Sequence, residues 1–160
     1  MTIQVGDRIP SASLRIKTDD GIQEITTDEI FGGKKVVLFS VPGAFTPTCS
    51  AKHLPGFVQQ AGAIKGKGVD TIACVSVNDA FVMGAWGKDQ SVGDKVMMLA
   101  DGNGDFAKAL GLELDATGVG LGVRSQRFAL VAEDGVVKTL NVEAPGAFEV
   151  SSAEAVLAAL

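Results

Sequence analysis

Apolar and polar residues fall along the chain in blocks of two periods. Leu14 and Ile16, then Ile22 and Ile25, flank Asp19-Asp20-Gly21, and two short alternating runs around such a turn signal predict a β-hairpin. Thr27 and Asp28 are expected to cap a short turn of helix before Gly32-Gly33. Residues 35–41, Lys-Val-Val-Leu-Phe-Ser-Val, have the density of apolar and β-branched side chains of a strand covered on both faces. Pro42-Gly43 ends it. Thr46 as cap and Pro47 in the first helical position then open a helix whose apolar positions Leu54, Phe57, Val58, Ala61 and Ile64 recur at helical spacing up to Gly66.

The pattern then repeats. Residues 69–77 predict a second continuous strand, Asn78-Asp79 a cap for a helix through Trp86, and residues 96–100 a third strand. Residues 106–110 read as a short helix and residues 111–122, rich in glycine, as a long mobile loop. Residues 127–132 and 136–142, joined through Glu133-Asp134-Gly135, predict a second hairpin, and a serine-capped helix closes the chain from Ser151. Residues 3–10 read as an irregular lead-in. Strands alternating with helices, ended by an antiparallel hairpin and a last helix, make one α/β domain over residues 1–160.

Composition narrows what that domain does. Fourteen basic against nineteen acidic residues give a net charge of −5, with Lys and Arg scattered, so the basic footprint of a nucleic-acid or anionic-membrane partner is absent. No apolar run approaches the ~20 residues of a membrane span, and a cytoplasmic location is expected. Two cysteines and one histidine, Cys49, Cys74 and His53, cannot complete a tetrahedral zinc site of the usual kind; neither a metal nor another cofactor is called for. In a reducing compartment such cysteines are catalytic or buried more often than bridged.

Cys49 holds the informative position. In an open α/β sheet, chemistry gathers at the carboxyl ends of strands, where helix N-termini present unpaired amides. Residues 42–50, Pro-Gly-Ala-Phe-Thr-Pro-Thr-Cys-Ser, occupy that place after the first long strand. A cysteine in the first turn of a helix meets the positive end of the helix dipole, which favours thiolate over thiol. Lys52 stands where a Cys-x-x-Cys motif would put its second sulfur, so dithiol chemistry of that kind is excluded. The Thr46 hydroxyl, three residues before Cys49, both donates and accepts and can bridge sulfur and substrate oxygen. His53, four residues after Cys49, also raises an acyl-transferring cysteine hydrolase, but no orienting Asn or Asp is recognisable for its imidazole. We read His53 as packing or capping near the site mouth. Asp101-Gly-Asn-Gly-Asp105 begins like a calcium loop but has Phe106 at the sixth position and Leu112 at the twelfth.

Pro42, Thr46 and Cys49 match the signature of the peroxiredoxins, proline, three residues, threonine or serine, two residues, cysteine. With residues 53–57, 74–81 and 127–130, the chain resembles the type II, or atypical, peroxiredoxins over nearly its whole length. That resemblance implies a thioredoxin-like fold, a central mixed sheet flanked by helices with an N-terminal β-hairpin extension. It implies reduction of hydrogen peroxide and alkyl hydroperoxides through a Cys49 sulfenic acid, in a homodimer. It further implies that Arg127 brings a guanidinium to the thiolate, that Pro42 shields the sulfur, and that the main-chain N–H groups of Thr48 and Cys49 complete the substrate site. Some type II members carry a resolving cysteine near the closing helix, where this chain has Ser151 and Ser152. Cys74 is then either a small buried hydrophobe, which its mid-strand setting favours, or a resolving cysteine that reaches Cys49 after rearrangement. The other route is an outside thiol, glutaredoxin with glutathione, or thioredoxin. A non-catalytic redox sensor would use the same sulfur without sustained turnover.

Overall fold

A computed structural model describes all of residues 1–160. The first hairpin forms as β1 (Ser13–Thr18) and β2 (Gly21–Thr26), paired residue for residue from Ser13 opposite Thr26 to Thr18 opposite Gly21. Helix α1 (Thr27–Phe31) is capped one residue earlier than its sequence suggests. Thr26 accepts from the Glu29 amide, and the Glu29 carboxylate reaches back to the Thr26 amide, a reciprocal capping box. The Thr27 hydroxyl instead ties the lead-in down, donating to the Pro10 carbonyl and accepting from the Ala12 amide.

The three apolar runs become β3 (Lys35–Ser40), β4 (Thr71–Ser76) and β5 (Met97–Ala100), mutually parallel. Helices α2 (Leu54–Lys65) and α3 (Ala80–Asp89) connect them, the latter capped by Asp79, which accepts from the Val82 amide. A short α4 (Asp105–Leu110) follows. The segment expected to be a mobile loop is instead a second small sheet, β6 (Glu113–Ala116) against β7 (Gly122–Ser125), joined by a 3-10 turn at Thr117–Val119. Its glycines supply the joint: Gly120 and Gly122 have φ of 80° and 72°, a left-handed backbone that few other residues adopt at low cost. The last hairpin is β8 (Phe128–Glu133) and β9 (Val136–Val142), and α5 (Ala153–Ala159) ends the chain, capped by Ser152.

Seven strands make one mixed sheet in the order β2-β1-β5-β4-β3-β8-β9. Alternate residues of the central strands point to opposite faces, each with its own core. Val37, Phe39, Ile72, Cys74, Ala129 and Val131 pack with α2, α3 and α5. Val36, Leu38, Ala73, Val75, Leu130 and Ala132 pack with α1 and α4. The strands are buried on both sides, which is why their sequence runs apolar without alternating.

Register places the site. Because β8 is antiparallel to β3, with Ser40 opposite Phe128, the residue that precedes β8, Arg127, lies beside the point where β3 releases the chain into Pro42. On the other side Phe128 pairs with Val142 at the end of β9, and the Glu143 amide donates to the Arg127 carbonyl at 3.0 Å.

Candidate active site

The loop after β3 is clamped from three neighbouring elements. Asn78, just past β4, accepts with one oxygen from the Ala44 amide at 3.0 Å and from the Ser76 hydroxyl at 2.6 Å. Arg124 on β7 donates to the Pro42 carbonyl at 3.3 Å. Trp86 on α3 donates from its indole to the Ser50 hydroxyl at 3.0 Å. Between these anchors Phe45 is held at φ 64°, a left-handed conformation that costs a residue with a side chain about 1–3 kcal/mol.

The helix begins at Pro47, as the sequence predicts, but Thr46 does not cap it with its side chain. The hydroxyl turns back and donates to the Gly43 carbonyl at 2.7 Å, closing the loop, while the Thr46 carbonyl accepts the first helical bond from Ser50. Residues Cys49–His53 then form a wider π turn, in which the Leu54 amide bonds back to the Cys49 carbonyl. Pro55 explains the widening: it has no N–H to offer the Ala51 carbonyl, and its ring crowds that oxygen, so the preceding turn opens. The Thr48 and Cys49 amides lie in the first turn and meet no acceptor within the protein, as helix geometry requires.

At the sulfur the structure places Arg127. Arg127 donates from Nη2 to Cys49 Sγ at 3.0 Å and from Nη1 to His53 Nδ1 at 2.8 Å. A permanent cation thus faces the sulfur. Pro42, Thr48 and Arg127, with Leu114, Gln126 and Glu143, line a cavity of about 340 Å³, and Cys49 is fully buried. A larger cleft of about 760 Å³, between Lys17, Asp70, Thr71 and Lys95, opens at the opposite end of β4 and contains none of these residues.

His53 is not at the site mouth. It is fully buried among Phe39, Phe57 and Phe148, with ring centroids 4.9, 5.6 and 5.0 Å away. Since the guanidinium can only donate, Nδ1 accepts from Arg127; Nε2 therefore carries the proton and donates to the Ser151 carbonyl at 2.9 Å. Burial, then the Arg127 charge, lower its pKa from the usual 6.5 to about 3, so the ring is neutral across the physiological range. With both nitrogens engaged away from Cys49, it has no lone pair for the sulfur's proton, which removes the hydrolase reading. Its work is to seat Arg127, which also lies 5.8 Å from the centre of the Phe148 ring.

Cys74 is fully buried at mid-sheet, opposite Phe39 on one side and Met98 on the other. Burial, and then the neighbouring Cys49, push its thiol well above the ordinary range. Both cysteines are free.

A family model described as Redoxin matches residues 4–157. Peroxiredoxin-2B of Arabidopsis thaliana is 52% identical, over 99% of this chain and 98% of its own. The chain belongs to the type II peroxiredoxins. Chloroplastic peroxiredoxin-2E of the same plant is 56% identical to this peroxiredoxin, over 99% of this chain and 70% of its own length. Among solved structures, reduced Prx3 of Vibrio vulnificus in complex with hydrogen peroxide is 57% identical, covers 99% of both chains and superposes with a TM-score of 0.95. The fold is thus the thioredoxin-like one expected, with the N-terminal hairpin added, and the activity of the peroxiredoxin is that of a thiol-dependent peroxidase.

Several groups that shape this site were not legible as such. Nothing in the immediate sequence of Arg124 and Glu143 distinguishes them from surface polar residues, and the local signals of Asn78 and Ser151 point to helix caps rather than to the bonds they make with Ala44 and His53. His53 did carry one, its spacing from Cys49, but that spacing suggests a base rather than a seat for Arg127.

Proposed function

We propose that the peroxiredoxin reduces hydrogen peroxide and alkyl hydroperoxides with Cys49 as the attacking sulfur and no metal or other cofactor. The observation that carries this is the 3.0 Å contact from Arg127 to Sγ, behind a cavity lined by Pro42, Thr48 and Arg127 itself. The hydroperoxide enters that cavity. The Cys49 thiolate bonds to the terminal hydroxyl oxygen, the O–O bond breaks, and the departing alkoxide takes up a proton and leaves as alcohol or water. Arg127 and the unspent amides of Thr48 and Cys49 face the charge as it moves from sulfur to oxygen. Thr46, whose hydrogen is given to Gly43, offers its oxygen to the proton of the hydroperoxide and so orients it. Pro42 keeps bulk water from the sulfenic acid.

An outside thiol then restores Cys49. Attack by one thiol expels water and forms a mixed disulfide, and a second releases the reduced sulfur; glutathione with glutaredoxin, or thioredoxin, supplies both. Cys74 is too enclosed to do so, and as a buried thiol it lacks the ionised form that attacks. We place the protein in a reducing compartment such as the cytoplasm, where thiol reductants of this kind operate. Phe45, Val119, Leu121 and Val123, exposed near the site loop and on the β6–β7 sheet, suit the face of a homodimer.

Purified protein should consume hydrogen peroxide with dithiothreitol as reductant. Cys49→Ser should abolish this and Cys74→Ala should leave it intact with a glutaredoxin system. Wild-type turnover by Cys49→Ser would end the proposal.

A further inference from the structure

Arg127 is held by more than His53. The Glu143 carboxylate, just past β9 and 7% exposed, accepts from three successive main-chain amides: Glu149 at 2.9 Å, Val150 at 2.9 Å and Ser151 at 2.8 Å. It also accepts from the Ser151 hydroxyl at 2.6 Å. These bonds fold residues 143–151 into a closed loop, and two members of that loop touch the arginine's seat. The Ser151 carbonyl takes the proton of His53 Nε2, and the Phe148 ring stands against both His53 and the guanidinium. An unbroken chain of polar contacts therefore runs from Glu143 through Ser151, His53 and Arg127 to the Cys49 sulfur.

We propose that Glu143 is a positioning residue for the peroxidatic reaction: through the loop it closes, its carboxylate fixes the Ser151 carbonyl and Phe148, and these aim Arg127 at Cys49. The inference rests on the reading of Cys49 as the attacking sulfur. Of the four donors that meet on this buried carboxylate, two belong to Ser151, the residue whose carbonyl sets the histidine tautomer. The tautomer matters because only a ring protonated at Nε2 leaves Nδ1 free to accept from Arg127. No hydrogen bond joins Glu143 to the sulfur, and although it lines the same cavity as Arg127 its carboxylate is engaged by Glu149, Val150 and Ser151; an arginine that swings by about 1 Å costs an aligned reaction on the order of a hundredfold.

The test is a double-mutant cycle on the rate of Cys49 oxidation by hydrogen peroxide, followed in single turnover by the fluorescence of Trp86, with the folded fraction set by circular dichroism. Glu143→Gln keeps the shape but replaces one acceptor oxygen by a donor. We expect the second-order rate constant to fall about ten- to a hundredfold in the wild-type background and to be unchanged by the same substitution in an Arg127→Lys background. Asp101→Asn is the control. That buried carboxylate also accepts from two amides, those of Phe106 and Ala107, but lies outside the chain of contacts, so it should lower the melting temperature and spare the rate. Should Glu143→Gln not fold, Glu143→Asp, which keeps the charge and shortens the reach, carries the same comparison. A rate untouched by Glu143 substitution, or an equal loss in both backgrounds, overturns the inference while leaving Cys49 as the nucleophile. A wild-type protein whose Cys49 is not oxidised at all overturns the reading beneath it.

Discussion

A buried neutral histidine between an arginine and a carbonyl is a pH liability as well as a support. His53 titrates near 3 in the folded protein against 6.5 when released, so below pH 6.5 the unfolded chain takes up a proton that the folded one refuses. Stability from this residue is complete above 6.5 and is lost as pH falls towards 3, with a slope of up to about 1.4 kcal/mol per pH unit. Arg127, Glu143 and Cys49 are the other ionisable groups around it. For Glu143, burial raises the carboxyl, but the bonds from Ser151, Glu149 and Val150 together outweigh that and leave it below its usual value. Its contribution is likewise present above the ordinary carboxylate range and is lost as pH falls through its folded value. Asp101, raised chiefly by burial, acts in the opposite sense. Urea melts at pH 7 and pH 5 should therefore show a clear loss for the wild type and a smaller one for His53→Gln. Equal losses in both would contradict the neutral, buried imidazole.

Among the elements, the helix that carries Cys49 shows how far periodicity reaches. Its apolar face from Leu54 to Ile64 was legible because four of the five positions that define it are buried. The π turn at Cys49–His53 was not, since five residues are too few to separate one helical pitch from another. Pro55 was the clue. Pro55→Ala restores a donor for the Ala51 carbonyl and lets the turn close to ordinary α geometry, which rotates Cys49 relative to Arg127. The expected result is a protein at least as resistant to heat but about tenfold slower to react with peroxide; unchanged kinetics would show that the wide turn has no part in aiming the sulfur. The β6–β7 sheet was misread for a different reason. Its strands are four residues each and its glycines, which sit at the turn, resemble those of a flexible loop.

At the scale of the molecule, local patterns foretold the order of strands and helices except for β6 and β7, and residues 42–50 announced the reactive cysteine. What they could not foretell is which distant residues the sheet brings to it. Arg127 arrives through the antiparallel pairing of β8 with β3, which joins residues far apart in sequence, and Arg124 through its bond to the Pro42 carbonyl, while Glu143 follows Arg127 across the local hairpin of β8 and β9. Assembly follows the same logic. Val119 and Leu121, in the turn that joins β6 to β7, and Val123, on β7, have 76%, 39% and 49% of their surface exposed, apolar area that an interface would cover. Sedimentation equilibrium should find a dimer for the wild type and a monomer for Leu121→Glu with Val123→Lys; a wild-type monomer would remove the homodimer.

The central claim is that one sulfur, presented to a guanidinium at the start of a helix, takes the oxygen. Treating the reduced protein with one equivalent of hydrogen peroxide in the presence of dimedone, followed by peptide mass spectrometry, tests this directly. A single adduct on Cys49, with Cys74 unmodified, is the predicted result. An adduct on Cys74, or an unmodified Cys49 after the peroxide has been consumed, would contradict it.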